Sequence, residues 1–430
     1  GDRWICDCRF AICDLFGSIS DRNSQIAIFR SQFADRNFQI TNRRSQFSNR
    51  NSQTATRTSK ISNRRSQFAD HKSQIAILKS QLADRNSNIE NLKYPVMRFQ
   101  LTFLVLTLLV CSCSRPPEYA EINGLTQGTT YHIVVEKTPG LDIMALRQDI
   151  EALFTEIDNS LSIYNDSSVI SAINSNRTDL TDTLFREVFR AAAQVSAESG
   201  GYFDITIGPL VKSWGFGPDA MKRFDESMLD SLLALVGMDK VRLVGERIVK
   251  ADPDMFIDVN AIAQGYTVDL VADLIARSGI SQCLVEVGGE VRTLGDKNGT
   301  GWKVGIDAPV DGNYIPGADI QAKIRLDNSA LATSGNYRKF FVEDGVKYSH
   351  TIDPRTGYPV RHTLLSATII APTGAVADAW ATACMVGGKD AAIAFIEKYD
   401  FLEGYLVFSD DRGEMKSWVS EGIRKLIITD

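Results

Sequence analysis

Two short runs hold the residue types best suited to chemistry. Lys347-Tyr348-Ser349-His350-Thr351-Ile352-Asp353-Pro354-Arg355-Thr356-Gly357 sets a histidine beside an Asp-Pro turn, and Ala377-Asp378-Ala379-Trp380-Ala381-Thr382 follows downstream. Asp378 and Thr382 are four positions apart, the spacing that stacks two oxygen donors on one helix face. A histidine, with an ordinary pKa of about 6.5, can take a proton from a hydroxyl near neutral pH. A carboxylate and a hydroxyl are hard oxygen donors, of the kind that can hold a metal ion. Together these residues suggest metal-assisted phosphate chemistry. Plainer readings stand beside this one: an exposed Asp378, a Thr382 bonding back to its own helix, a structural histidine, and an Asp353 that orients His350 or only caps its turn.

The elements that must position these groups read as a mixture of helices and hairpin-spaced strands, hence an α+β architecture. Thr129–Glu136 alternates apolar and polar residues as a strand does. Leu146–Leu161 has helical spacing through Leu146, Ile150, Leu153, Phe154 and Ile157. Asp182–Ser199 is a second amphipathic helix, stopped by Gly200-Gly201, and Asn260–Ser278 a third, closed by Gly279. Strands are expected at Gln282–Val287, Trp302–Ile306, Ala322–Leu326, Arg338–Val342 and Leu365–Ile370, and two closing helices at Ala375–Met385 and Lys389–Tyr399.

Charge divides the 430 residues. Residues 1–96 carry 16 Lys+Arg against 8 Asp+Glu, leaving 31 and 45 for residues 97–430. The acidic part is long enough for a large buried core, and its charge argues against a nucleic-acid footprint. Cys283 and Cys384 sit in apolar surroundings and read as buried free thiols, with no disulfide framework.

From Ser24 a seven-residue repeat runs through Ser31, Ser45 and Ser52 to Ser87, with an apolar residue two places after most of them. A coiled coil needs two apolar seams per heptad, and only one is filled. A tandem repeat in DNA, read in frame ahead of a start at Met97, explains the pattern better; residues 1–96 are expected to lie outside the functional protein. Met97-Arg98-Phe99-Gln100 is a cationic n-region and Leu101–Val110 an apolar core too short to span a bilayer. Ser112-Cys113 resembles a lipobox, so residues 97–112 are expected to be a lipoprotein signal, Cys113 the lipidated residue, 113–125 a tether and 126–430 the catalytic body. An exported chain, anchored on the periplasmic side of the inner membrane, is the expectation; a buried N-terminal helix is the alternative.

Several glycine turns interrupt the periodic pattern and hold polar residues. In order the chain carries G-T-T-Y at 128–131, L-S-I-Y-N-D-S-S at 161–168, G-Y-F-D-I-T-I-G-P-L at 201–210 and W-G-F-G at 214–217. I-D-V-N-A-I-A-Q-G-Y at 257–266, V-G-G-E at 287–290, S-G-N-Y at 334–337, H-T-I-D-P-R-T-G at 350–357 and A-D-A-W-A-T-A at 377–383 follow. Over roughly 300 residues this ordered set resembles the ApbE family of FAD:protein FMN transferases, formerly called thiamine-biosynthesis lipoproteins.

The resemblance implies a T-fold-related body of sheets and packed helices, in two intertwined subdomains. It implies Mg2+ as cofactor and FAD as substrate, with the FMN half moved onto a threonine hydroxyl of a partner protein and AMP released. Subunits of sodium-pumping NADH:quinone reductases (Nqr) and of Rnf-type complexes are the implied acceptors. By the same resemblance His350 is catalytic, and Asp378 and Thr382 hold the metal with the backbone oxygen of Ala261. Gln127, Tyr164, Tyr202, Phe203, Asp204, Asp258, Gln264 and Ile352 contact FAD. Some relatives have a carboxylate where this chain has Ala381, methionine at the place of Gln127, and lysine or glutamate at that of Gln264. Tyr164, Tyr202 and Phe203 can stack on flavin or adenine rings, or pack in the core. Metal-dependent hydrolysis of FAD to FMN and AMP, and storage of FAD without chemistry, are the alternative functions.

Overall fold

A computed structural model describes residues 117–216, 225–310, 317, 319–336, 340–343, 346–349 and 351–429. The heptad segment, the signal sequence, Cys113 and His350 lie outside the described residues. The described part falls within one unit, Arg115–Asp430.

Alternation of apolar and polar residues builds most of an eight-stranded sheet. Its strands are β1 (Tyr119–Thr126), β2 (Thr129–Glu136), β5 (Cys283–Val287), β6 (Glu290–Leu294), β9 (Ala330–Gly335), β12 (Leu364–Ala371), β13 (Glu403–Ser409) and β14 (Met415–Val419), adjacent in that order. Every neighbouring pair is antiparallel. Three separate hairpins pair β3 (Val241–Val244) with β4 (Arg247–Lys250), β7 (Trp302–Asp307) with β8 (Ile320–Leu326), and β10 (Phe340–Glu343) with β11 (Val346–Ser349).

Among the described residues the α-helical elements are α1 (Ile143–Leu161), α2 (Val169–Asn174), α3 (Thr183–Ser199), α4 (Gly208–Ser213), α5 (Leu229–Ala234), α6 (Asn260–Arg277), α7 (Gly374–Lys398) and α8 (Glu421–Leu426). Ile133, Val135, Cys283 and Val285 on one sheet face pack against α1 and α6 through Ile150, Phe154, Val271 and Ile275. The other face carries Leu284, Val291, Leu331 and Val407, covered by the β7–β8 hairpin and Ile423 of α8. A larger core joins α3, α6 and α7 to the sheet through Phe185, Ile262, Trp380, Ala332 and Ile369. Cys283 and Cys384 are free and buried. The architecture is mixed α+β.

One expectation changes. The tether expected through residue 125 instead gives way to β1 at Tyr119, whose Ile122 enters the core. The alternation is hidden there by Gly124, which must lack a side chain: a Cβ would fall 2.5 Å from the Tyr131 ring. The two closing helices are met as expected: α7 is two helical segments divided at Gly388 (φ 76°, ψ −179°), where the backbone is not helical. That left-handed φ is open to glycine at little cost. Among the described residues no helix is long and apolar enough to cross a membrane.

Candidate active site

Helices α6 and α7 meet where neither has a side chain. A Cβ on Gly265 would lie 2.2 Å from the Gly374 carbonyl oxygen, and one on Gly374 would lie 2.2 Å from the Gly265 oxygen. This close crossing lets a side chain of α7 reach the backbone of α6. Gly265 N donates to Asp378 Oδ2 at 3.1 Å. In a helix that same amide faces the carbonyl four residues back, which is Ala261. The Ala261 oxygen and the Asp378 carboxylate therefore gather around one N–H. One turn further along α7, Thr382 Oγ1 lies 3.3 Å from Ser334 Oγ of β9. The three metal ligands expected from the resemblance thus come from two touching helices.

Asp378 is 6% exposed. Burial pushes its carboxyl up to about 7, opposed only by the Gly265 N–H. Burying a carboxylate costs several kcal/mol, whereas one hydrogen bond to a charged group restores about 1.5–3 kcal/mol. The shortfall suits a cation at the carboxylate. Among the described residues no three His, Cys, Asp or Glu side chains cluster as a metal site. One carboxylate with a hydroxyl and a carbonyl fits Mg2+, which retains waters, better than zinc, which takes N and S ligands. Ala381 is fully buried among apolar residues, so its methyl belongs to the core and not to this oxygen cluster.

The other expected residues surround the start of α6. Gln127 and Gly128 form the two-residue β1–β2 turn, both at positive φ (49° and 74°). Gln127 Nε2 donates to Thr267 Oγ1 at 2.8 Å, while its buried Oε1 has no partner among the described residues. A ligand N–H can satisfy that oxygen. Gln264 packs at Gly288, where a Cβ would lie 2.9 Å from Gln264 Nε2. Asp258 accepts from Asn260 N at 2.9 Å, stapling the first turn of α6, and its own N–H donates to the Ile205 carbonyl. Tyr164 lies beside Asp258 and Asn260, and at 65% exposure its ring is available for stacking.

Three other expected residues have structural partners. Phe203 is 2% exposed and packs in the main core, so its ring does not stack on a ligand. Asp204 Oδ1 accepts from Thr206 N at 2.7 Å and Oδ2 from Met238 N at 3.1 Å, which pins two loops together. Burial raises its pKa above the usual carboxylate range, against those hydrogen bonds. The Ile352 side chain is buried with Leu210, Leu232 and Val236, leaving its backbone as the part able to meet FAD.

Asp353 grips Arg355 through Nε at 3.0 Å and Nη2 at 2.8 Å, and accepts from Arg355 N. Arg355 lies 3.5 Å from the centroid of the Tyr202 ring. Tyr202 is thereby held between the Asp-Pro turn and α7, where its edge meets Phe395 at 5.5 Å. Sequence reasoning gave Arg355 no role, although it stands inside the quoted motif. Thr351 Oγ1 donates to Asn336 Oδ1 at 2.9 Å, which ties the residue after His350 to the end of β9, close in sequence to Ser334.

A family model described as the ApbE family matches residues 127–406. A protein of Vibrio cholerae named FAD:protein FMN transferase is 34% identical over 322 residues, covering 73% of this chain and 95% of its own length. One of the same name from Haemophilus influenzae is 32% identical, covering 72% of this chain and 92% of its own. Among solved structures, flavin transferase ApbE from Vibrio cholerae superimposes with a TM-score of 0.65 at 31% identity, over 72% of this chain and all of that one. The apo flavinyl transferase ApbE of Pseudomonas stutzeri gives 0.65 at 32% identity, over 72% of this chain and 97% of its own. With the family model matched over residues 127–406 and the fold shared with solved relatives, this chain belongs to the ApbE family.

Proposed function

We propose that the chain is a FAD:protein FMN transferase that moves the FMN half of FAD onto a threonine hydroxyl of an acceptor protein and releases AMP. The observation that carries this reading is the buried Asp378 carboxylate, offset only by the Gly265 N–H of the touching helix, with Thr382 one helical turn along α7. Phosphoryl transfer needs charge neutralisation and an aligned nucleophile more than covalent help. Asp378, Thr382 and the Ala261 carbonyl would hold Mg2+, which would supply charge neutralisation at the diphosphate.

The chain's own residues do the rest. Tyr164 offers an exposed ring for stacking. Gln127 offers its unpaired oxygen to a ligand N–H. Tyr202, fixed by Arg355, bounds the site beside α7. His350 takes the proton of the acceptor threonine as its oxygen attacks the FMN phosphorus. The new bond is threonine oxygen to phosphorus, and the pyrophosphate P–O bond to AMP breaks. Subunits of Nqr- and Rnf-type complexes are the acceptors this chemistry would serve. The cationic n-region, apolar core and Ser112-Cys113 pair support export and lipidation at Cys113, with the body on the periplasmic side of the inner membrane.

Incubation with FAD, Mg2+ and a threonine-bearing acceptor domain, read by mass spectrometry, tests the proposal. Covalent FMN on the acceptor supports it. Free FMN with AMP identifies a hydrolase, and unchanged FAD a binding protein; either would overturn it.

A further inference from the structure

Asp269 lies one turn beyond Gly265 on α6, and its carboxylate reaches across to the first amides of α7. Gly374 N donates to Oδ1 at 2.7 Å and Ala375 N to Oδ2 at 2.9 Å. We propose that Asp269 is a positioning residue for the cation site, fixing the register of α7 on α6 so that Asp378 stays at the Ala261 carbonyl. This inference rests on the reading of that oxygen cluster as a Mg2+ site.

The two helices are pinned twice, in reciprocal directions. Gly265 of α6 gives a hydrogen bond to Asp378 of α7, and Asp269 of α6 receives two from Gly374 and Ala375. Between the pins stands the glycine-on-glycine crossing. At that point the contact is mainly backbone on backbone, so directional hydrogen bonds on either side of it help to fix the register. The first pin depends on Asp378, the side chain that must also serve a cation. Once Asp378 turns to a metal, the Asp269 pin is the one that keeps the register.

Asp269 is itself anchored to the sheet. Arg292 of β6 places Nε 3.6 Å from Asp269 Oδ1 and donates from Nη1 to the Pro372 carbonyl at 2.7 Å, just before α7 begins. Thr373, the residue that caps α7 from within its own segment, reaches Val376 N at only 3.4 Å. The stronger cap thus comes from a neighbouring helix, which couples helix capping to the spacing of the oxygen cluster. Asp269 touches none of the three expected ligands, so its effect is exerted through the placement of α7.

The test is calorimetric titration of MgCl2 into the full chain saturated with FAD, alongside thermal melting with and without MgCl2. Asp269→Asn keeps the shape but meets two N–H donors with one oxygen and an amide. Its Mg2+ dissociation constant is expected to rise by about 10- to 100-fold, the range seen when a metal ligand loses its supporting partner. FAD affinity is expected to stay within about twofold of wild type, and the melting increment given by MgCl2 to shrink with the lost affinity. A capping role alone would lower the melting temperature while leaving that increment and the Mg2+ constant unchanged, and this outcome would overturn the proposal. Should Asp269→Asn fail to fold, Arg292→Gln, which frees Asp269 and Pro372, must weaken Mg2+ in the same direction; unchanged affinity there also overturns it. If wild type binds no Mg2+, the cation site falls and this inference with it; if wild type binds and both variants bind equally, only this inference falls.

Discussion

Gly265 and Asp378 are separated by 113 residues, yet the amide of one donates to the carboxylate of the other at 3.1 Å. That contact exists because Gly265 and Gly374 bring two helix backbones together with no Cβ between them. Gly265→Ala is expected to force the helices apart at a cost of about 1–3 kcal/mol, and to weaken Mg2+ binding. Urea unfolding checks the first effect; an unchanged midpoint at an unchanged slope would show that the crossing has slack.

Asp378 carries the opposite balance of stability and function. Among the described residues its buried carboxylate has no cationic side-chain partner, so Asp378→Asn is expected to raise the metal-free melting temperature while abolishing Mg2+-dependent transfer. Melting curves and the FMN transfer assay, run on one preparation, check both halves. A variant that melts lower and still transfers FMN contradicts the assignment.

His350→Ala is expected to leave FAD binding intact and to lower turnover by about 10²–10⁴-fold, the usual contribution of a positioned general base. Equilibrium FAD titration and single-turnover transfer separate the two quantities. Wild-type turnover from this variant would remove His350 from the mechanism.

Arg355 stacks on Tyr202 while both oxygens of Asp353 hold its guanidinium. The hydrogen bond to Asp353 leads in keeping that guanidinium charged. Lysine cannot reproduce a planar, doubly held stack. Arg355→Lys is expected to lose about 0.5–2 kcal/mol of stability and to raise KM for FAD with kcat little changed. Steady-state kinetics at saturating acceptor decide it, and a lowered kcat at constant KM would give Arg355 a different task.

Burial pushes the Asp269 carboxyl up to about 6, against the Ala375 and Gly374 N–H groups and Arg292, with Asp273 adding to the rise. Between about pH 4 and about pH 6 the folded chain therefore holds a proton at this site that the unfolded chain has released. Stability from this group is present in full below about pH 4 and is lost as pH rises through about 6. Melting of the metal-free chain across this window is expected to fall less steeply in Asp269→Asn than in wild type. Equal slopes would mean that Asp269 titrates in the folded chain as it does in the unfolded one.

Local sequence determined a good part of this protein. The alternation of Thr129–Glu136 became β2 with those limits, and α3 begins after the Asp182 cap and stops at left-handed Gly200, as its cap residues imply. The four-residue spacing of Asp378 and Thr382 was enough to place two oxygens on one helix, because helical geometry is local.

What the tertiary structure alone decided is which distant groups meet. No periodicity marks Gly265 as the donor to Asp378, Asp269 as the cap of a helix 105 residues away, or Arg355 as the cover of Tyr202. Phe203 looked fit for stacking until its burial in the core was known, and β1 was masked by a glycine that exists to admit Tyr131. Spacing along a chain reports which residues share a face. Close packing of backbones, desolvation of a carboxylate and pairing across strands depend on what the rest of the fold brings up against that face.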